Sequence, residues 1–459
     1  MLSKIKKGIF LTSIVFMCLA LLPVLSFAQD VPEYSLDDCV DMALKFSPQI
    51  KEVAQELEMA KTRLEEAKGW QYPQLDMLGL FGPAPEARGN QLFSPNKSDE
   101  IDGLGVFGSV SGTVIQPIYT FGKITEAKKA ASHGIKVDQS RVRQKATDVA
   151  LEIKQYYYGH LAALEGKRLI NEISGHLGTA IKRTKKLLAE ESEYVSELDL
   201  YKLEAFEGML ERYREEVDKN IILSKEALRT FMGLPKGAEF SLADKRNEPA
   251  DVNIQSLDFY AEQSKELRPE FTQLREGILA KNSLFKMAKA DYYPMVFAAG
   301  LFSYSDATER DKATNPWIYD FFRHTTGGVA LGMKWHFDFG INKSKVNHAK
   351  ADQLKYERLR DYATVGIPMQ VEKSYRELIE AKNTIEATKK AYESARKWMI
   401  GAVMNYDMGI GEASDAGDAI VAYGQIKQEY IKSVYNFNMS YANVLQTSGM
   451  SVKEVLNKY

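Results

Sequence analysis

Gly328-Val329-Ala330-Leu331-Gly332-Met333-Lys334-Trp335-His336-Phe337-Asp338 alternates without a fault: the odd positions from Val329 to Phe337 are large and apolar, the even ones small, polar or charged. A period of two marks a β-strand with unlike faces. Just beyond, Gly340 ends the alternation, and Asn342 to Met408 keeps helical spacing. A strand apolar on one side and small or polar on the other suits a wall between lipid and water, although a half-buried sheet alternates in the same way.

The same text stands earlier in the chain. Tyr119-Thr120-Phe121-Gly122 precedes Phe337-Asp338-Phe339-Gly340 by 218 residues, as Tyr157 precedes Tyr375 and Leu161 precedes Ile379. Ser35-Leu36, Ser47-Pro48, Tyr72-Pro73 and Gly79-Leu80-Phe81 return as Ser256-Leu257, Arg268-Pro269, Tyr293-Pro294 and Gly300-Leu301-Phe302, each 221 residues on. A constant offset over so many landmarks reads as an internal duplication. The copies are expected at about 34–233 and 255–448, with a linker at 234–254 carrying Pro235 and Pro249.

Each copy runs short helix, helix, strand pair, very long helix, return helix. Ser35 caps the first helix, with Asp37 and Asp38 in its first turn, and Pro48 opens the second. Membrane-type strands are expected at 74–82, 106–117, 295–305 and 326–338. In the second of these Val106, Gly108, Val110, Gly112 and Val114 share a face opposite Ser109, Ser111 and Thr113. Two long stretches, 83–105 and 306–325, join the strands of each pair and hold the Pro, Gly, Asn, Asp and charges of a water-exposed loop. Aromatic residues gather where strands meet helices: Trp70, Tyr72, Tyr119, Phe121, Tyr292, Tyr293, Trp335 and Phe337. Rings with one wet and one apolar end favour a membrane boundary. The long helices, from Lys123 to about Glu191 and from Asn342 to Met408, reach on the order of 100 Å at a rise of about 1.5 Å per residue. Gly366-Ile367-Pro368 is expected to kink or locally unwind the second. Helices of that length belong in a bundle or barrel of staves.

Four strands cannot close a transmembrane barrel, whose smallest form takes about eight, and an open edge does not survive in hydrocarbon. Copies of the chain must therefore complete the cylinder: two give eight strands and three give twelve, and only the larger ring leaves a lumen of useful bore.

The bulk numbers agree with export and exclude other classes. Lys4, Lys6 and Lys7, the apolar run Ile9 to Leu25 and Ser26-Phe27-Ala28 read as a signal peptide over residues 1–28, leaving 29–459 as the working chain. That chain carries 57 basic against 62 acidic residues, about −5, without the basic stripe of a nucleic-acid binder. Only Cys39 remains, so no internal disulfide is possible. Gly103-x-Gly105-x-x-Gly108 has the letters of a dinucleotide fingerprint but leads into an alternating run rather than a helix. The histidines at 133, 160, 176, 324, 336 and 348 lack metal-ligand spacing, and no cofactor, metal or catalytic constellation is expected.

Val114-Ile115-Gln116-Pro117-Ile118-Tyr119-Thr120-Phe121-Gly122-Lys123 resembles the L-x-Q-P-L-[FY]-x-x-G signature of the TolC-type outer-membrane factors, the outer membrane efflux protein family. Ser196-x-Leu198-Asp199-Leu200 resembles their hairpin turn, and Tyr34-Ser35-Leu36-Asp37-Asp38 with Ala43-Leu44 and Ser47-Pro48 resembles their opening. The resemblance implies a homotrimer in the outer membrane of a Gram-negative bacterium, a twelve-stranded barrel on a helical periplasmic tunnel. It further implies a passive exit duct for efflux or type I secretion, docked to a periplasmic adaptor (membrane fusion) protein and an inner-membrane transporter. On the same resemblance, Asp415, Asp418 and Asp199 are the candidate gate, and Val195, Ser196, Leu198, Gly409, Gly411, Ala413 and Ser414 the adaptor-contact tips. Stacked aspartate rings would make a cation-selective throat; an acidic first turn favoured by the helix dipole is the plainer reading. Two positions depart from the family: Glu193 stands for the first tip's glycine, and Gly411 for the basic residue that locks the second. A periplasmic coiled-coil adaptor without a pore is the rival reading, and it should carry one hairpin rather than two.

Overall fold

The computed structural model describes residues 31–89, 103–193, 195–313, 315 and 317–451; the expected signal peptide lies outside them. Ser35 caps α1 (Leu36–Phe46) through a reciprocal box with Asp38, and Pro48 begins α2 (Pro48–Gly69). The strands β2 (Gln74–Pro85) and β3 (Leu104–Tyr119) follow, then α3 (Lys123–Ala189) and α4 (Glu197–Phe231). After the connection come α5 (Leu257–Leu267), α6 (Pro269–Ala290), β5 (Met295–Ala307), β6 (His324–Lys334), α7 (Ile341–Met408) and α8 (Ala413–Thr447). Helix lengths pair off along the chain: 11 with 11, 22 with 22, 67 with 68 and 35 with 35 residues.

The two longest helices also start alike. Gly122 and Gly340 stand at their N-termini with φ of 88° and 139°, and the residue two before each glycine supplies the cap. Thr120 Oγ1 accepts the Ile124 N–H (3.4 Å), while Asp338 Oδ1 accepts those of Gly340 (3.1 Å) and Asn342 (2.9 Å). Both caps satisfy donors that the first helical turn leaves without partners.

α3 is the central stave. Toward the strands it packs against α2 and α6; toward the tips it packs between α4 and α8, and α7 lies outside α6 and α8. Buried Val149, Ile153 and Tyr157 join α1 and Leu228 in one core, and Tyr260, Val371, Leu378 and Phe437 form its counterpart in the second half. Nearer the tips, all four long helices share cores around Met399 and Tyr423, then around Leu177, Leu203 and Tyr406. The outermost staves keep apolar side chains in water: Tyr201, Met209 and Ile222 on α4, and Tyr362, Val365, Met369 and Trp398 on α7.

The sheet runs β2-β3-β5-β6, antiparallel throughout, with a register shift between Pro117 and Tyr119. Gly103-x-Gly105-x-x-Gly108 leads into and lies largely within β3.

Three expectations change. β6 stops at Lys334 rather than 338, because Asp338 is needed as the helix cap and the Trp335 indole donates to the Tyr292 carbonyl (3.1 Å). The linker is no passive tether: β4 (Ser241–Leu242) pairs in parallel with β1 (Glu33–Tyr34), and Phe240 and Leu242 enter the first core. Helix α7 stays helical through Pro368, so the chain does not unwind there, and Ile367 and Val371 are buried on either side.

Candidate functional site

The register decides which side chains share a side. Val114 pairs with Gly300 and Gly300 with Val329; Gly112 meets Phe302, and Val110 meets Tyr304. Through β2, Leu75 joins Val114's row and Met77 joins Gly112's. One face is therefore apolar across all four strands, with Phe81 (84 %), Val329 (92 %) and Leu331 (79 %) fully open. The small and polar residues Asp76, Thr113, Ser111, Ser109, Ser303, Gly328 and Thr326 lie on the other, together with Leu78, Leu80, Ile115 and Leu301. The outer sides of β2 and β6 pair with no described strand.

Where strands meet helices, the aromatic residues touch. Tyr119 sits edge-on to Phe121 (4.7 Å), which stacks on Tyr293 (5.1 Å), and Trp335 packs on Phe337 (4.6 Å). Trp70 and Tyr72 are exposed at the end of α2. A Lys123–Asp291 ion pair (2.6 Å) ties the start of α3 to the end of α6.

At the far end the hairpin tips lie side by side. The first spans 190–196. Glu191 takes the left-handed conformation (φ 52°) that turns the chain out of α3, so the counterpart of Gly409 is Glu191 and not Glu193. Ser196 then caps α4. Asp199 Oδ2 accepts from the Ser196 N–H (3.0 Å) and hydroxyl (2.8 Å), so this candidate gate carboxylate is engaged in its own helix cap. The second tip spans 409–412. Gly409 has φ 79°, and a Cβ on Gly411 would come within 3.0–3.2 Å of Asn405 and the Tyr406 backbone, so a larger residue there would crowd the end of α7.

Asp415 and Asp418 are both exposed on the first turns of α8. Asp418 pairs with Lys202 of the first hairpin (2.7 Å), whose ammonium also donates to Ser414 Oγ (3.0 Å). Among the described residues no ion pair reaches Asp415. Leu198 and Ile410 stand out into water, while Ala413 is buried and Val195, Ser414 and Gly411 are half-buried.

A second clasp joins the tips, and no motif in the sequence marks it. Tyr406 is 2 % exposed, and its hydroxyl shares a hydrogen bond with buried Thr184 (2.6 Å). Burial pushes the Tyr406 phenol above its ordinary pKa, keeping it neutral. Arg183 Nε donates to the Tyr406 carbonyl (3.2 Å). Because that carbonyl belongs to the last turn of α7, the guanidinium sits where the helix dipole favours a cation. Farther back, Lys427 (2.6 Å) and the Tyr423 hydroxyl (2.8 Å) hold opposite oxygens of Glu172, linking α8 to α3. Among the described residues no cluster of three His, Cys, Asp or Glu could hold a metal, and no helix is long and apolar enough to cross a membrane.

No family model matches the chain, and no curated protein matches it. Solved structures do. The CmeC outer membrane channel of Campylobacter jejuni superposes with a TM-score of 0.74 at 15 % identity, over 92 % of this chain and 88 % of that one. The outer membrane protein VceC of Vibrio cholerae gives 0.72 at 14 %, over 90 % and 96 %. CusC, solved for conformational changes accompanying folding and transmembrane channel formation, gives 0.72 at 14 %, over 92 % and 95 %. At such identities the likeness establishes the fold: over about nine tenths of its length the chain has the architecture of these outer-membrane channels.

Proposed function

We propose that this chain is one third of an outer-membrane exit duct. The observation that carries the proposal is the sheet. One face is apolar through the middle of all four strands, and the other gathers the Ser, Thr and Gly residues with only Leu78, Leu80, Ile115 and Leu301 as aliphatic interruptions there. The two outer strands have no partner among the described residues. Exposed backbone donors and acceptors cost several kcal/mol each in hydrocarbon, so β6 must meet β2 of a next copy until the ring closes. The helical layer has matching edges, since α4 and α7 carry its exposed apolar side chains. Three copies give twelve strands, the apolar face toward lipid and the polar face toward a water-filled lumen. The aromatic clusters then sit at the periplasmic boundary of the outer membrane of a Gram-negative bacterium.

The paired helix lengths and twin caps support an origin by duplication, each copy contributing a hairpin and two strands. The duct is passive. It receives substrate from a periplasmic adaptor and an inner-membrane transporter of an efflux or type I secretion assembly, with Leu198, Ile410 and the 190–196 and 409–412 turns as the docking tips. Asp415 and Asp418 supply carboxylate rings at the throat, Asp418 partly neutralised by Lys202. Asp199 serves the helix cap.

Membrane fractionation tests the assembly: a heat-modifiable trimer in the outer membrane supports it, and a peripheral, water-soluble monomer rejects it. Planar-bilayer recording tests the throat. The resting trimer should conduct little, and Asp415→Ala with Asp418→Ala should weaken block by multivalent cations. Unchanged block would remove the carboxylates from the throat.

A further inference from the structure

The outer ends of the strands are covered on one face only. On the small and polar face Ala84, Phe107, Ser305 and Ala307 are buried, whereas Val106 and Tyr304 on the apolar face at the same level are exposed. The cover is the run 317–323, which doubles back over the sheet instead of projecting from it. Phe322 packs edge-on against Phe107 (5.0 Å) and touches the small cluster beneath, and its carbonyl accepts the Ser305 hydroxyl (2.8 Å). Phe321 braces both rings.

An ion pair pins this cover. Arg310 Nε reaches both Asp320 oxygens (2.9 and 3.2 Å), its Nη1 donates to the Pro85 carbonyl (2.7 Å), and its guanidinium lies over the Phe322 ring (4.9 Å). The two side chains keep only 17 % and 11 % exposure, so the pair is held largely out of water. Asp320 also accepts the Phe322 N–H (3.0 Å). A surface loop whose only task is to join two strands needs no such anchor.

We propose that residues 317–323 form a strap across the outer end of the duct, so that the resting trimer is narrowed at its outer mouth as well as at its tips. The inference rests on the reading that the small and polar face lines the lumen. Three straps then meet around the axis, presenting exposed Trp317, Tyr319 and Phe321 to the bore, and Arg310–Asp320 with Phe322 holds each one down.

Cysteine accessibility in intact cells separates the strap from the duct. Ala330→Cys places a thiol on the polar face, six residues inward from His324 along β6, and Val329→Cys places one on the apolar face; Cys39 is fully buried. Each is challenged from outside with a small cationic methanethiosulfonate and with a maleimide carrying a multi-kilodalton polyethylene glycol. Ala330→Cys should react with the small reagent alone. Adding Phe322→Ala, or Asp320→Asn as a variant that leaves no hole, should let the large reagent react as fully as the small one. Large-reagent labelling already complete without these changes, or absent in both backgrounds, overturns the strap. Reaction at Val329→Cys with silence at Ala330→Cys, or silence at Ala330→Cys toward the small reagent throughout, overturns the lumen assignment itself.

Discussion

The first and second hairpin tips do the same job with different means. The first is self-contained: Ser196 and Asp199 close a capping box, and Glu191 makes the turn at the cost of a left-handed backbone. The second is shorter and turns on Gly409, but Glu412 at the start of α8 offers no side-chain cap. Its restraint comes from its neighbour, through Thr184 and Arg183 on α3 and Lys202 on α4. One tip is a fixed post and the other a latch held to it. If the proposed duct opens at its tips, the latched hairpin is the one expected to move, because its contacts can be given up without unfolding any cap.

The largest way to break that contrast is Tyr406→Ala. The side chain is buried in the tip core, and its truncation should cost ~3–4 kcal/mol locally through the cavity and the lost Thr184 bond. Faster proteolysis confined to 405–412 and a raised resting conductance should follow; an unchanged conductance would show that the latch does not gate. The next effects are smaller, and the two turn substitutions are opposite in sign. Gly409→Glu forces a side chain onto a φ of 79° and should cost ~1 kcal/mol, whereas Glu191→Gly relieves a φ of 52° and should gain ~0.5 kcal/mol. Ser196→Ala removes the first tip's cap for ~1 kcal/mol and should leave conductance alone. Thermal melting of the detergent-solubilised protein, read beside conductance, would expose any exchange of roles.

What the sequence carried follows from the range of each signal. Periodicity of two and 3.6, Pro48, Pro269 and the glycines at 122, 340 and 409 are local, so the order of elements and both strand faces could be read directly. The register joining Val114 to Gly300 and Val329 was implicit in the alternation, since one slip would turn a whole strand over. Tertiary partners were not legible. Arg183, Thr184, Lys202 and Tyr406 lie on ordinary helical stretches, and only the side-by-side placement of two distant hairpins gives them a role. Glu191 was missed because its left-handed backbone goes against residue preference. The strap reads as plain loop in the sequence, although Trp317, Ile318, Tyr319, Phe321 and Phe322 interrupt the polar composition of that connection, and the linker's pairing with residues 33–34 rests on two residues per strand.

Acid should loosen the contact between α3 and α8. Burial raises the Glu172 pKa, but hydrogen bonds from Lys427 and Tyr423 outweigh it and leave the carboxyl below its ordinary value. The stability it supplies is thus present above the unfolded glutamate range near pH 4.5 and fades as pH falls through that range to the lower folded value. With the side chain about one third exposed, the effect should stay under about 1 kcal/mol. Glu172→Gln should flatten the melting-temperature profile between pH 5 and 3; an unaltered slope would assign the acid response elsewhere.

The smallest effect is the most informative about the latch. Lys202–Asp418 is a half-exposed pair, so Lys202→Met should change stability by no more than ~0.5 kcal/mol. Its consequence for function is electrostatic: Asp418 loses its countercharge, and the throat carries more negative charge beside Asp415. Lys202→Met should therefore deepen block by multivalent cations while leaving melting nearly constant, opposite in sign to Asp418→Ala. Both responses should shrink as monovalent salt is raised, because exposed charges are screened within about 10 Å at 0.1 M. If Lys202→Met instead raised resting conductance as far as Tyr406→Ala does, the ion pair would be the true fastening, and the buried tyrosine only the hinge it closes against.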